Sequence, residues 1–122
     1  MKEITLDKNT MIVSETDEKG RIIYVNNDFC TIAGYQKHEL IGQRHNLVRH
    51  PDMPKAAFKD LWSTIQSGQI WEGIVKNRTK NGDFYWVNAT AYPSIGANGK
   101  KRYISVRVKP TKSEILKTTE LY

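Results

Sequence analysis

The sequence predicts an α+β domain, a five-stranded antiparallel sheet with short helices packed on one face. Three observations carry this. Two short apolar runs, residues 11–16 and 21–25, flank the turn Asp17-Glu18-Lys19-Gly20 and read as a hairpin. Three further strand patterns, residues 70–78, 84–93 and 101–109, are separated by turns holding Asn81-Gly82 and Asn98-Gly99, a dipeptide that favours tight hairpins. Helical signals occupy the stretch between the two groups. Strands gathered at both ends of a chain, with helices between, place those helices on one face of an antiparallel sheet.

The elements follow in order. Asn26 or Asn27 caps a short helix through Phe29 and Ile32 that Gly34 ends. Residues 37–41 make another helical turn, stopped by Gly42. Residues 43–54 are polar, irregular and rich in histidine and arginine. Asp52 is placed to cap a longer helix, with Pro54 tolerated in its first turn. Ala57, Phe58, Leu61, Trp62 and Ile65 recur at three- and four-residue steps, and Gly68 closes the helix. Residues 111–122 carry a helical stripe of Ile115, Leu116, Leu121 and Tyr122, too short to stand alone. The chain divides into an N-terminal extension (1–10), a folded domain (11–110) and a C-terminal helix or linker (111–122).

Composition excludes several classes. A length of 122 residues suits one domain, and Cys30, as the only cysteine, excludes an internal disulfide and a cysteine-rich zinc site. Clustered metal-ligand spacing is absent, so no metal is expected. No apolar run approaches the roughly 20 residues of a membrane span, and the N-terminal residues lack a signal-peptide pattern, so the cytoplasm is the expected location. The net charge of +6 raises the question of nucleic acid. Its cations fall in short groups at 44–50, 76–80 and 100–102, two of them in hairpin turns, and no helix has a continuous basic face. No nucleic-acid partner is expected. Serine-nucleophile, phosphate-loop and HExxH motifs are also missing, and the chain reads as a non-enzyme.

Local motifs are more specific. Gly20-Arg21-Ile22-Ile23-Tyr24-Val25-Asn26 with Phe29 and Gly34-Tyr35, then His38-Glu39-Leu40-Ile41-Gly42, then Asn81-Gly82-Asp83-Phe84-Tyr85-Trp86, resemble a PAS domain over residues 11–109. Arg49-His50-Pro51-Asp52-Met53-Pro54-Lys55-Ala56-Ala57-Phe58, with Trp71-Glu72-Gly73-Ile74-Val75-Lys76-Asn77-Arg78, is similar to the PAS domain of aerotaxis (energy taxis) receptors of the Aer type. The resemblance implies a PAS fold, non-covalent FAD, and a report on redox and oxygen status. It also implies a partner: a second copy in a homodimer, a HAMP-type linker or a chemoreceptor, contacted through residues 1–10 and 111–122. A ligand-free dimerisation module is the alternative of a different class.

Alternation puts Trp71, Gly73, Val75 and Asn77 on one strand face. Trp71 is either a ring contact or a core tryptophan, and Gly73 leaves space for a flat ring. The Asn77 amide, able to donate and accept, suits a pyrimidine edge, because a core-facing amide needs a partner. Tyr85, Val87, Ala89 and Ala91 share a face whose small alanines leave a hollow. Arg107, on a face with Tyr103 and Ser105, either faces the ligand or pairs with a carboxylate. The resemblance assigns Arg49, His50 and Asp52 to the flavin-binding motif and places His45 near the ring, with Asp52 acting as a helix cap in either case. His45 occupies the place where light-oxygen-voltage photoreceptors carry a reactive cysteine, so a covalent photoadduct is not expected. FMN is the secondary flavin, and haem would have to draw its ligand from His38, His45 or His50.

Overall fold

The computed structural model describes residues 1–121. Five strands form one antiparallel sheet: β1 (Met11–Thr16), β2 (Ile22–Val25), β3 (Trp71–Arg78), β4 (Phe84–Ile95) and β5 (Lys101–Val108), in the spatial order β2-β1-β5-β4-β3. The helices α1 (Asn27–Ala33), α2 (Lys37–Leu40) and α3 (Lys55–Gln66) lie between β2 and β3, and α4 (Lys112–Leu121) follows β5. The expected α+β architecture is the observed one. The apolar stripe's Tyr122 and the Leu121 side chain lie outside the described residues.

The inner face of the sheet is the core. Ile12, Ser14 and Thr16 of β1, Tyr85, Val87, Ala89 and Ala91 of β4, and Trp71, Val75 and Asn77 of β3 are all buried there, as alternation requires. The register sets Asn77 opposite Tyr85 and Ala89 opposite Arg107, so the polar inner residues converge from adjacent strands. Helix α4 differs from the others. It is tied by Glu114 Oε2 to the Asn88 amide nitrogen (2.9 Å), and Asn88 alternates with the core residues of β4, so α4 docks toward the opposite face.

Asn26 joins the first strand to the first helix. Its Oδ1 accepts from Phe29 N–H (3.1 Å), capping α1, and from Val13 N–H (3.1 Å), while its Nδ2 donates to the Met11 carbonyl (2.8 Å). Asn26→Ala removes all of these bonds. It is expected to destabilise the domain by about 1–3 kcal/mol, read as a lower urea midpoint at unchanged slope.

Asp52 does not cap α3. The N-cap residue is Pro54, without a side-chain hydrogen bond, and α3 has no acidic residue in its first turn. A tight turn is the reason: Met53 N–H bonds to the His50 carbonyl (3.1 Å), which swings Asp52 outward to meet Lys76 Nζ at 3.1 Å. Smaller differences also have causes. Arg21 forms only an isolated bridge with Arg44, so β2 starts at Ile22, and continued pairing with β5 extends β4 to Ile95. Part of the irregular stretch coils into a 3₁₀ turn at His45–Val48. The next residues close the exposed edge of β3, through an Arg49–Asn77 bridge and a His50 N–H bond to the Lys76 carbonyl (3.3 Å).

Candidate functional site

A cavity of about 340 Å³ lies between the inner sheet face and α3. Its sheet side is small and partly polar, with Ser14, Thr16, Ala89, Ala91, Asn77 and Arg107, because β1 and β5 present hydroxyls and β4 presents alanines. The opposite wall is apolar and aromatic: Phe58, Leu61, Trp62 and Ile65 from the inner face of α3. His45 and Arg49 approach from the 3₁₀ turn and the residue after it, and the exposed Lys55 and Lys59 stand at the mouth.

Arg107 organises the polar end. It is only 3% exposed, yet no carboxylate pairs with it among the described residues. Its Nε donates to Ser105 Oγ (3.0 Å), and its Nη2 donates to Ser14 Oγ and to His45 Nε2 (2.7 Å). The guanidinium also sits 5.2 Å from the centre of the Phe29 ring. The remaining nitrogen, Nη1, is buried without a partner. A buried cation held by neutral groups is costly, and the cost shows in its proton affinity: burial lowers its pKa from the ordinary arginine range to about 10, still charged at neutral pH. Of the two alternatives left open by the sequence, the carboxylate pair is not formed among the described residues, and Arg107 lines the cavity.

His45 is the neutral member of the pair. Burial first, and then the charge of Arg107, lower its pKa to about 3. Its Nε2, also 2.9 Å from Ser14 Oγ, acts as acceptor toward the arginine. An unfolded histidine titrates near 6.5, so between that pH and about 3 the unfolded chain holds more protons than the folded one. The stabilisation is complete above pH 6.5 and is lost as pH falls toward 3, by up to about 1.4 kcal/mol per pH unit. His50, held below its ordinary range first by burial and then by Lys76, adds a contribution of the same sign. Urea midpoints compared at pH 7 and 4.5 should show the loss, and His45→Gln should reduce it.

Tyr85 is fully buried and its hydroxyl has no hydrogen-bond partner, although it lies across from Asn77. Burial pushes its pKa up to about 12. Thr16 lines the cavity, and its Oγ1 is likewise buried and unpartnered. Buried polar atoms usually have partners; of these residues Thr16 and Arg107 line the cavity, while Tyr85 stands beside Asn77 outside its lining. The signal for Ser14 and Thr16 was present in the sequence, since alternation from Ile12 puts both on the core face.

Of the residues singled out in the sequence, the cavity gathers His45, Arg49, Asn77 and Arg107. His50, Asp52 and Trp71 are not among its lining residues. His50 is buried beside it, accepting Asp52 N–H on Nδ1 (3.0 Å) and meeting Phe84 edge-on at 6.1 Å. Trp71 donates its indole N–H to Asp60 Oδ2 (2.9 Å), and its ring covers Gly73 so closely that a Cβ there would lie 2.4 Å from Cη2. The space at Gly73 is filled by this chain's own tryptophan.

Comparison with known proteins identifies the fold and the family. The family described as PAS fold matches residues 22–107, and the chain belongs to that family. Within it, the chain is 48% identical over 117 residues to the aerotaxis receptor of Escherichia coli (strain K12), covering 96% of this chain and 23% of the receptor. It is 26% identical over 103 residues to the nitrogen fixation regulatory protein of Klebsiella oxytoca, covering 84% of this chain and 21% of that protein. The chain thus spans less than a quarter of the length of these relatives. Among solved structures, the dark form of the blue-light photoreceptor Aureochrome1 LOV superposes with a TM-score of 0.75 at 18% identity, covering 91% of this chain and 86% of that one. A PAS domain from Colwellia psychrerythraea gives 0.73 at 25% identity, with 84% and 88% covered.

Proposed function

We propose that this chain is the sensor domain of a bacterial aerotaxis or energy-taxis protein, binding FAD non-covalently and reporting cellular redox and oxygen status. A PAS sensor domain in signalling is what the relatives support, and the finer assignment rests on the site. The observation that carries it is the uncompensated Arg107, a residue that lines a cavity walled by aromatic and aliphatic side chains and whose buried Nη1 has no partner. Such a site suits a flat aromatic group with an acceptor-rich, electron-accepting edge.

When bound, a flavin supplies reversible electron acceptance, and its reduced form carries more negative charge. The residues would respond as follows. Asn77 donates to and accepts from the ligand's polar edge, and the Arg107 guanidinium attracts the more negative form more strongly. His45 stays neutral while the arginine leans on its Nε2, and it gains proton affinity when negative charge arrives beside it. A ligand shifts the conformational equilibrium only by this difference in interaction between its two forms. Phe58, Leu61, Trp62 and Ile65 exclude water from the ring and so strengthen the electrostatic contrast. No covalent step and no catalysis on a substrate are assigned to the chain.

No helix among the described residues is long and apolar enough to cross a membrane, and a cytoplasmic position belongs to the same proposal. So does a partner, whether a second copy, a HAMP-type segment or a chemoreceptor. The test is the visible spectrum of freshly purified protein, with mass identification of any released chromophore. A yellow protein releasing FAD upholds the reading, and release of FMN corrects the cofactor. A haem-like band, or a colourless protein that takes up no added flavin, overturns it.

A further inference from the structure

We infer that Lys76 is a positioning residue for the cavity, although it stands on the opposite face of the sheet: it clamps residues 49–52 to the edge of β3 and so fixes where Arg49 and Asn77 meet a ligand. The effect on a ligand deepens the flavin reading and rests on it, whereas the clamp itself is testable without one.

Lys76 and Asn77 are neighbours in β3, so their side chains take opposite faces of the sheet. Asn77 lines the cavity, and Lys76 lies across from Trp86 on the other side. A lysine side chain is rarely buried unless it is paired, and this one is only 16% exposed. Three groups hold its ammonium: Asp52 Oδ2 at 3.1 Å, the centre of the Phe84 ring at 4.5 Å and that of the Trp86 ring at 5.8 Å. The two rings belong to the neighbouring strand β4, whereas Asp52 belongs to the irregular segment before α3. The lysine therefore joins that segment to the sheet.

The main chain alone holds the segment weakly. β3 is the last strand of the sheet, and along its outer edge the attachments are the Arg49–Asn77 bridge and the His50 N–H bond to the Lys76 carbonyl, long at 3.3 Å. Arg78 Nε reaches the Leu47 carbonyl only at 3.5 Å. Lys76 thus grips the segment twice, by its carbonyl at His50 and by its ammonium at Asp52. Between these two points His50 accepts Asp52 N–H on Nδ1 (3.0 Å) and meets edge-on the same Phe84 ring that lies beside the ammonium. Arg49, one residue before the grip, lines the cavity. Losing the lysine charge strands nothing inside, because Asp52 is 70% exposed and returns to water. The segment loosens while the rest of the sheet stays. Asp52, outside the cavity lining, acts on the cavity through this lysine.

The test measures amide hydrogen exchange of the ligand-free domain and equilibrium binding of FAD in the wild type, K76M, K76R, D52N and K76M/D52N. Methionine keeps an apolar stem against the two rings and removes the charge, and arginine keeps both. In K76M the amides of His50 and Asp52, whose bonds lie within the clamp, should exchange about five-fold faster, with those of β1 and β5 unchanged and K76R restoring the slow rate. Added salt should speed the His50 amide in the wild type and leave it unmoved in K76M. FAD affinity should fall by a similar factor in K76M and recover in K76R, and K76M/D52N should lose no more than either single variant. Unchanged exchange, or faster exchange throughout the sheet, overturns the clamp. Unmoved FAD affinity beside a loosened segment overturns the positioning role. If no flavin binds even the wild type, the flavin reading fails by itself, and the exchange pattern alone decides the clamp.

Discussion

Replacing Arg107 with methionine is expected to make the ligand-free domain more stable and the flavin-bound domain a poorer redox discriminator. An unpaired buried cation gives way to an apolar chain of similar length, and such exchanges are neutral or stabilising by about 1–4 kcal/mol. The Phe29 ring and the alkyl surroundings remain to pack against it. His45 loses the neighbouring charge that helps to depress its pKa, so the domain becomes less sensitive to acid. Loss of the guanidinium removes the group that prefers the more negative form of the ligand. A ten-fold loss of preference lowers a two-electron midpoint potential by about 30 mV, and a drop of about 30–60 mV is expected. Urea denaturation of the flavin-free protein and a spectroscopic redox titration of the loaded protein measure the two effects. A destabilised variant with an unchanged potential would make Arg107 a structural strut and remove the main support for redox sensing.

Gly73→Ala should be among the most damaging single-methyl additions in the domain. The backbone there is ordinary strand, so the cost is steric: the new Cβ would lie 2.4 Å from Cη2 and 2.7 Å from Cζ2 of Trp71. The ring cannot swing away freely, because its N–H is held by Asp60 and the residue is only 9% exposed. Overpacking of this kind costs about 1–3 kcal/mol. If the clash is the cause, Trp71→Leu should destabilise the parent but rescue much of the loss when combined with Gly73→Ala. Additive losses in that cycle would mean that the glycine matters for some other reason.

These cases show what the sequence could reveal and where it stopped. The sheet was legible because its faces alternate cleanly: residues 85, 87, 89 and 91 read as buried, and they are. The Asn-Gly turn and the cap at Asn26 were legible because local backbone chemistry dictates them. Residues 43–54 resisted, since no periodicity governs a segment shaped by contacts with β3 and with its own turn. Asp52 has the residue type and position of a cap, but the His50–Met53 turn decides its direction. Arg107 stayed ambiguous because a lone arginine does not disclose its partners, and only the three-dimensional neighbourhood of Ser14, Ser105 and His45 does. At Gly73 the missing side chain was visible, but the tryptophan that fills its place was not.

One consequence concerns β4. Along the edge it shares with β5, pairing ends at Asn88–Val108, and residues 2–4 take over at Phe84, with Ile4 N–H bonded to the Phe84 carbonyl (2.8 Å) and Phe84 N–H to that of Lys2 (3.0 Å). Asn88 itself holds α4 through Glu114. The N-terminal segment and the C-terminal helix are therefore fastened to a single strand four residues apart, with buried Tyr85 and Val87 between the anchors. A small slide of that strand would tug on both attachments together, so whatever reads the two ends of this domain receives one correlated movement rather than two independent ones.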